Sequence, residues 1–84
     1  MNTKYTVYIL QSIKFENEYY TGHTSKTLKD RLWEHNQGMS KYTKAFIPWK
    51  IKTYMVFDNE KKAIELEHYL KTGSGKAFRN KRLI

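Results

Sequence analysis

The sequence predicts an α+β fold, and three observations carry that expectation. Two segments rich in β-branched and aromatic residues, Tyr5 to Leu10 and Tyr19 to Thr24, stand close enough to form a hairpin. A capped amphipathic stretch, Thr27 to Gln37, follows them. A strand-like run after Pro48 then leads into an apolar repeat of helical period at Ala63, Leu66 and Leu70. The expected order is strand, strand, helix, strand, helix, short helix, without repeat, low-complexity tract or linker.

Each element has its own reason. Tyr5 to Leu10 is β-branched and aromatic on both faces, which suits a central strand covered on each side. Ser12 to Glu18 reads as a polar turn, so the hairpin brings Tyr8 and Tyr20 side by side. Gly22 stands inside the second strand, where a glycine costs stability and marks a bulge or a close backbone approach. Thr27 and Asp30 form a capping pair, Leu28 and Leu32 give the first helix its buried face, and Gly38 stops it. Arg31 and His35, four residues apart, project together beside that stripe toward the sheet edge. Pro48 cannot join a ladder interior, so the third strand should begin near Lys50 and run to Phe57, with Asp58 and Asn59 capping the second helix. Gly73 is read as that helix's stop. Gly73-Ser74-Gly75-Lys76 has the look of a phosphate loop, but no strand precedes it and no Ser or Thr follows the lysine. Glu65 and His68 have the Glu-x-x-His spacing of carboxylate-bridged metal sites, yet without a second copy they read as an exposed helix face.

Length and composition bound the function. Eighty-four residues suit one small domain, residues 1–84. With no cysteine, disulfide scaffolds and thiolate metal sites are excluded, so seven Tyr, four Phe and two Trp must supply much of the core. No apolar run approaches membrane-spanning length and the start leads into no signal-like stretch, so a soluble, cytoplasmic protein is expected, with no membrane association. Sixteen Lys and Arg against eight Asp and Glu give a formal charge of +8, which favours a polyanionic partner, nucleic acid before anionic lipid. The charge is concentrated: Lys41, Lys44, Lys50 and Lys52 form one acid-free stretch, and Lys71, Lys76, Arg79, Lys81 and Arg82 another. Tyr42, Phe46 and Trp49 interleave the first, a mixture suited to phosphates and bases together, although core packing should claim at least one of the three.

Glu67 is the anomaly, because it lies within the apolar stripe of the second helix. A partly buried carboxylate stays charged only when a cation or several donors satisfy it. That cation is either Arg31, in a structural ion pair, or a metal ion in an active site.

Thr6-Val7-Tyr8, then Tyr20-Thr21-Gly22 after eleven intervening residues, then Arg31 and His35 on a helix and Glu67 on the next, resembles the GIY-YIG nuclease superfamily. The resemblance covers nearly the whole chain. It implies a three-stranded antiparallel sheet flanked by helices and hydrolysis of phosphodiesters with one divalent ion, Mg²⁺ or Mn²⁺. On it, Tyr8 matches the first-motif tyrosine, Tyr20 and Gly22 those of the second motif, Arg31 the family arginine, His35 a position often His or Tyr, and Glu67 the metal-binding glutamate. Asn80 matches a late asparagine. Thr6 replaces the first-motif glycine, Thr21 an isoleucine, and His23 stands where excinuclease relatives carry lysine.

The implied chemistry assigns roles. A single carboxylate, Glu67, can anchor a Mg²⁺ that keeps most of its waters. Arg31 can grip a non-bridging phosphate oxygen with its planar fork. Either Tyr8, if neighbouring cations lower its pKa, or His35 takes the proton of the attacking water. Tyr20 orients the water or the phosphate, and Gly22, His23, Lys41, Lys44, Lys76 and Asn80 contact the nucleic acid. DNA is the expected substrate, with RNA as the alternative polyanion, and the sequence names no protein partner. Metal-dependent, structure-specific cleavage in repair or recombination is the expectation. A catalytically inactive nucleic-acid-binding module of the same fold is the runner-up, and behind it stands a small interaction protein whose charge only keeps it soluble.

Overall fold

The strand with two apolar faces takes the middle of the sheet. In a computed structural model, which describes residues 3–84, β1 (Tyr5–Ser12) pairs antiparallel with both β2 (Tyr19–Thr24) and β3 (Trp49–Phe57), in the order β2-β1-β3. Val7 and Ile9 face one way, onto Ala63 and Leu70 of α2 (Glu60–Leu70). Tyr8 and Leu10 face the other, onto Trp49 and the Leu28 and Leu32 stripe of α1 (Leu28–Asn36). Side chains alternate across a strand, so one central strand supplies two small cores. Each fully buried aliphatic side chain there is worth about 1.5–3 kcal/mol of burial.

Capping fixes where the helices start. Thr27 Oγ1 accepts the Asp30 amide at 3.2 Å, and Asn59 Oδ1 accepts the Lys62 amide at 3.1 Å. Thr72 Oγ1 does the same for Gly75 at 3.1 Å, opening α3 (Gly73–Arg82). Gly73 therefore does not stop a helix. It begins one, because the threonine before it satisfies an orphan amide of the new first turn. The glycine that matters there is Gly75: a Cβ on it would lie 1.7 Å from the Tyr69 carbonyl oxygen, so α3 can fold back against the end of α2 only with no side chain at that point. The Gly-Ser-Gly-Lys string is thus a helix junction.

Three further boundaries differ from expectation. β1 continues to Ser12, which is buried, donates to the Phe46 carbonyl and accepts the Phe15 amide. β3 starts at Trp49, whose amide is taken by Asn36 Oδ1. A 3₁₀ turn, η1 (Thr43–Phe46), occupies the basic and aromatic segment for which no element was expected. Glu65 and His68 are exposed, as an ordinary outer helix face requires. No helix among the described residues is long and apolar enough to cross a membrane.

Candidate active site

Tyr8 is the centre of the arrangement. It stands in the middle of β1 opposite Gly22 of β2 and Tyr54 of β3, and its side chain is buried at 1% exposure. Gly22 is what lets the phenol lie down: a Cβ there would come 2.6 Å from Tyr8 Oη and 2.8 Å from Cζ. The close approach expected at Gly22 is therefore to Tyr8.

Helix α1 delivers two partners to that hydroxyl from successive turns. Arg31 Nε–H donates to Tyr8 Oη at 3.2 Å, and Tyr8 Oη lies 2.9 Å from Nε2 of His35. His35 is fully buried, and its Nδ1 lies 2.8 Å from Thr43 Oγ1, which itself reaches the Ser40 carbonyl at 3.4 Å. Only one polarity gives every group in this chain a partner: Arg31 donates to Tyr8, Tyr8 to His35 Nε2, His35 Nδ1–H to Thr43, and Thr43 to Ser40. Burial raises the Tyr8 pKa above its ordinary value, outweighing the Arg31 bond and charge, and the charges of Tyr20 and Glu67 act in the same direction as burial. Burial, then the positive charge of Arg31, pushes His35 down to about 4. At neutral pH the pair is a neutral phenol beside a neutral imidazole.

Arg31 is itself held. Its Nη1 donates to Glu34 Oε1 at 2.9 Å, and the other oxygen of Glu34 takes Lys26. Nη2 makes no hydrogen bond to a described residue, which leaves that edge of the fork for an anion. Tyr20 completes the cluster, its ring centroid 5.1 Å from His35 and 6.3 Å from Tyr8.

Glu67 is buried on the opposite side, with 6% of its surface exposed. Its Oε1 takes His23 Nδ1 and its Oε2 takes Lys71 Nζ, and Arg31 is not its partner. The Arg31–Glu67 ion pair is thereby overturned: each residue finds an opposite charge one turn away on its own helix, at i+3 and i+4. Burial alone would raise the Glu67 pKa, but the bonds from Lys71 and His23 hold it below its ordinary value. His23, the expected nucleic-acid contact beside the second motif, places its Nδ1 on this carboxylate.

A tyrosine pair across a hairpin, an arginine and histidine one turn apart and a buried glutamate on the next helix form one ordered set. The model of the GIY-YIG catalytic domain matches residues 4–82 of the chain. The chain belongs to the GIY-YIG family. It is also 39% identical over 72 residues to a UPF0213 protein of Lactococcus lactis subsp. cremoris (strain SK11), which covers 84% of this chain and 69% of that relative. A GIY-YIG domain implies nuclease-type activity on a nucleic acid, and GIY-YIG nucleases generally use a divalent metal.

The remaining candidates are more scattered. Lys41, Lys44 and Lys76 are exposed, the first two beside η1 and the last on α3. Asn80 is exposed too, but its Oδ1 is taken by the Arg79 guanidinium at 2.8 and 3.0 Å. Glu34, Thr43 and Lys71, which tether Arg31, His35 and Glu67, escaped sequence reasoning. The spacings of Glu34 and Lys71 were readable as helix pairs, whereas Thr43 comes from an irregular segment with no periodic signal.

No group of three or more His, Cys, Asp or Glu able to hold a metal occurs among the described residues. A water-rich Mg²⁺ needs fewer ligands than that, and a lone carboxylate is a fitting anchor for it. Glu67 fits on one condition: the Lys71 ammonium, on a side chain 49% exposed and able to swing into solvent, must leave Oε2.

Proposed function

We propose that this GIY-YIG protein is a metal-dependent endonuclease that hydrolyses phosphodiester bonds in DNA, selecting structures of the kind that arise in repair or recombination. The observation that supports this most is the Tyr8 hydroxyl, a buried group with an arginine donor on one side and a neutral imidazole acceptor on the other. A tyrosine that only packed the core would need a single hydrogen-bond partner for its buried hydroxyl, not a charged donor and an acceptor together.

The residues divide the work. Arg31, braced by Glu34, holds a non-bridging oxygen of the scissile phosphate with its outer edge and stabilises the charge that grows there. Tyr8 takes the proton of the attacking water as its own hydroxyl proton passes to His35 Nε2. The phenol thus stays neutral, and the charge comes to rest on an imidazolium whose Nδ1–H stays on Thr43. Tyr20 lines the approach. Glu67 would hold Mg²⁺ or Mn²⁺, which when bound supplies charge stabilisation to the phosphoryl and leaving oxygens. The surplus positive charge concentrates DNA at the surface, and RNA is the competing polyanion. The working compartment on this reading is the cytoplasm.

One observation favours a second reading. Both oxygens of Glu67 are already occupied by His23 and Lys71, as they would be in a binding module without turnover. Cleavage of single-stranded, duplex, flapped and branched DNA, with Mg²⁺ and with chelator, separates the two. The nuclease reading expects cleavage that chelator abolishes. Salt-sensitive binding without cleavage would leave the binding module, and no binding to DNA or RNA at ~50 mM salt would remove both.

A further inference from the structure

A groove of about 520 Å³ runs between β2 and α3, away from the Tyr8 hydroxyl. Its two walls differ in chemistry. One is aromatic, built from Tyr19, Tyr20 and Tyr42; the other is cationic, built from Lys71, Lys76 and Arg79. The aromatic wall continues the candidate active site outward: the Tyr20 ring lies 5.1 Å from His35 on its inner side and 5.9 Å from Tyr42 on its outer side. Tyr42 is 64% exposed although Tyr20 and Phe46 flank it at 5.9 and 6.5 Å, so it offers a supported aromatic ring with much of its surface open. On the cationic wall, Lys71 Nζ sits 5.8 Å over Tyr20 and the Arg79 guanidinium 5.2 Å over Tyr19, with Asn80 holding Arg79 in place. Glu18 and Asn17 at the rim add a hydrogen-bond acceptor and an amide.

We infer that this groove binds the nucleotide next to the scissile phosphate, and that it takes that nucleotide unpaired. A base in a duplex has both faces covered by its neighbours, so an exposed tyrosine can stack only on a base that has left the helix. Tyr20 links the two regions, its ring 5.1 Å from His35 and 5.9 Å from Tyr42, so a strand held by its phosphate at the Tyr8–Arg31 centre can pass over Tyr20 with its next base toward Tyr42 and its next phosphate toward Lys76 and Arg79. An open volume of this size is in the usual range for small-ligand sites, ~300–1,000 Å³, and accommodates one nucleotide. The substrate class that follows is DNA with an unpaired nucleotide flanking the cut, as at a flap, gap or bulge. This inference rests on reading Tyr8 and Arg31 as the hydrolytic centre, but the groove can be tested without cleavage.

The test is equilibrium binding of the intact protein, without metal, to a single-stranded oligonucleotide and to a blunt duplex of the same sequence. Tyr42→Ala should weaken single-strand binding on the order of tenfold, the effect of losing one base–aromatic stack, and leave duplex binding within about twofold. Tyr42→Phe, which keeps the ring, should bind the single strand like the parent. Lys76→Gln should weaken the single strand and reduce its salt slope by about 0.7. A Tyr42→Ala variant that binds both ligands as the parent does, or loses both equally, overturns the inference. If the parent never cleaves but the Tyr42 dependence holds, the groove stands and the hydrolytic reading falls. If it cleaves while single-strand binding ignores Tyr42, the reverse is true.

Discussion

The hydroxyl of Tyr8 and Nε2 of His35 lie 2.9 Å apart inside the protein and share one hydrogen bond. The sheet brings the phenol and the helix brings the imidazole. Burial raises the first pKa and lowers the second to about 4, so both shifts favour the state in which neither carries charge. The expectation that cations would lower the tyrosine does not survive: Arg31 does pull in that direction, but desolvation is the larger effect. A phenolate is thus no resting form of the site. Proton movement from Tyr8 to His35 has to coincide with the arrival of a proton on Tyr8, which suits a relay better than a free base.

Gly22→Ala is the sharpest test of how that phenol is seated. The added methyl would meet Tyr8 Oη at 2.6 Å and Tyr20 Cε2 at 3.0 Å, and the buried Tyr8 ring cannot swing aside as an exposed side chain would. Overpacking of this kind costs about 1–3 kcal/mol, to be read from urea or thermal unfolding. If cleavage is present in the parent, it should fall by more than the loss of folded protein accounts for. An alanine variant as stable and as active as the parent would show that the Tyr8 position is not fixed by Gly22.

Glu67→Gln separates anchoring a metal from holding the fold. The amide keeps the shape and can still accept from His23, but it offers a metal no anionic ligand. Metal-dependent cleavage should drop on the order of 10² to 10³ while DNA binding is kept. Lys71 then loses its ionic partner, but it is half-exposed and can be solvated, so unfolding of the variant is not expected. An unfolded variant, together with a parent that never cleaves, would make the carboxylate a structural residue only.

Much of this was legible in the chain itself, for identifiable reasons. The central position of β1 follows from its two apolar faces, the hairpin from the short link between Tyr5–Leu10 and Tyr19–Thr24, and the start of α1 from Thr27. The partnership of Arg31 and His35 follows from four-residue spacing. What escaped is what depends on contacts across the fold or on irregular backbone. Thr43 orients His35 from a 3₁₀ turn that carries no periodic signal. Gly73 looked like a terminator because glycine after a helix often is one, whereas the deciding features were the Thr72 cap and the tight approach at Gly75. His23 and Glu67 meet across 44 positions of sequence, and no local pattern announces such a pair.

The buried histidine also makes a stability prediction with a definite sign. Its ordinary value is about 6.5 and its folded value about 4, so between those two the unfolded chain binds a proton that the folded chain refuses. The contribution is fully present above pH 6.5 and is lost as the pH falls toward 4, amounting to ~3 kcal/mol at most. Denaturant midpoints measured from pH 7 to 4 should decline across that window. His35→Phe, which cannot titrate, should flatten the decline even if it lowers stability overall, and an unchanged decline in that variant would assign the acid sensitivity to other groups.

The same two pKa shifts dictate how any cleavage rate should vary with pH. In a relay, His35 must be unprotonated to receive and Tyr8 must be protonated to pass its proton on, so the rate at saturating Mg²⁺ should rise only up to about pH 5 and then stay level. It should fall again in strong alkali, beyond the ordinary tyrosine value of about 10, because Tyr8 is shifted upward. Tyr8→Phe and His35→Phe should then be comparably severe, each on the order of 10² to 10⁴ and not additive in the double variant, because they interrupt one chain. A phenolate acting alone predicts otherwise: a rate climbing tenfold per pH unit through pH 9, with His35→Phe much the milder of the two. Metal-bound water could also generate a rising limb, so the profile should be repeated in Mn²⁺, whose water is the more acidic; a limb that moves with the metal belongs to the water, and one that stays belongs to Tyr8.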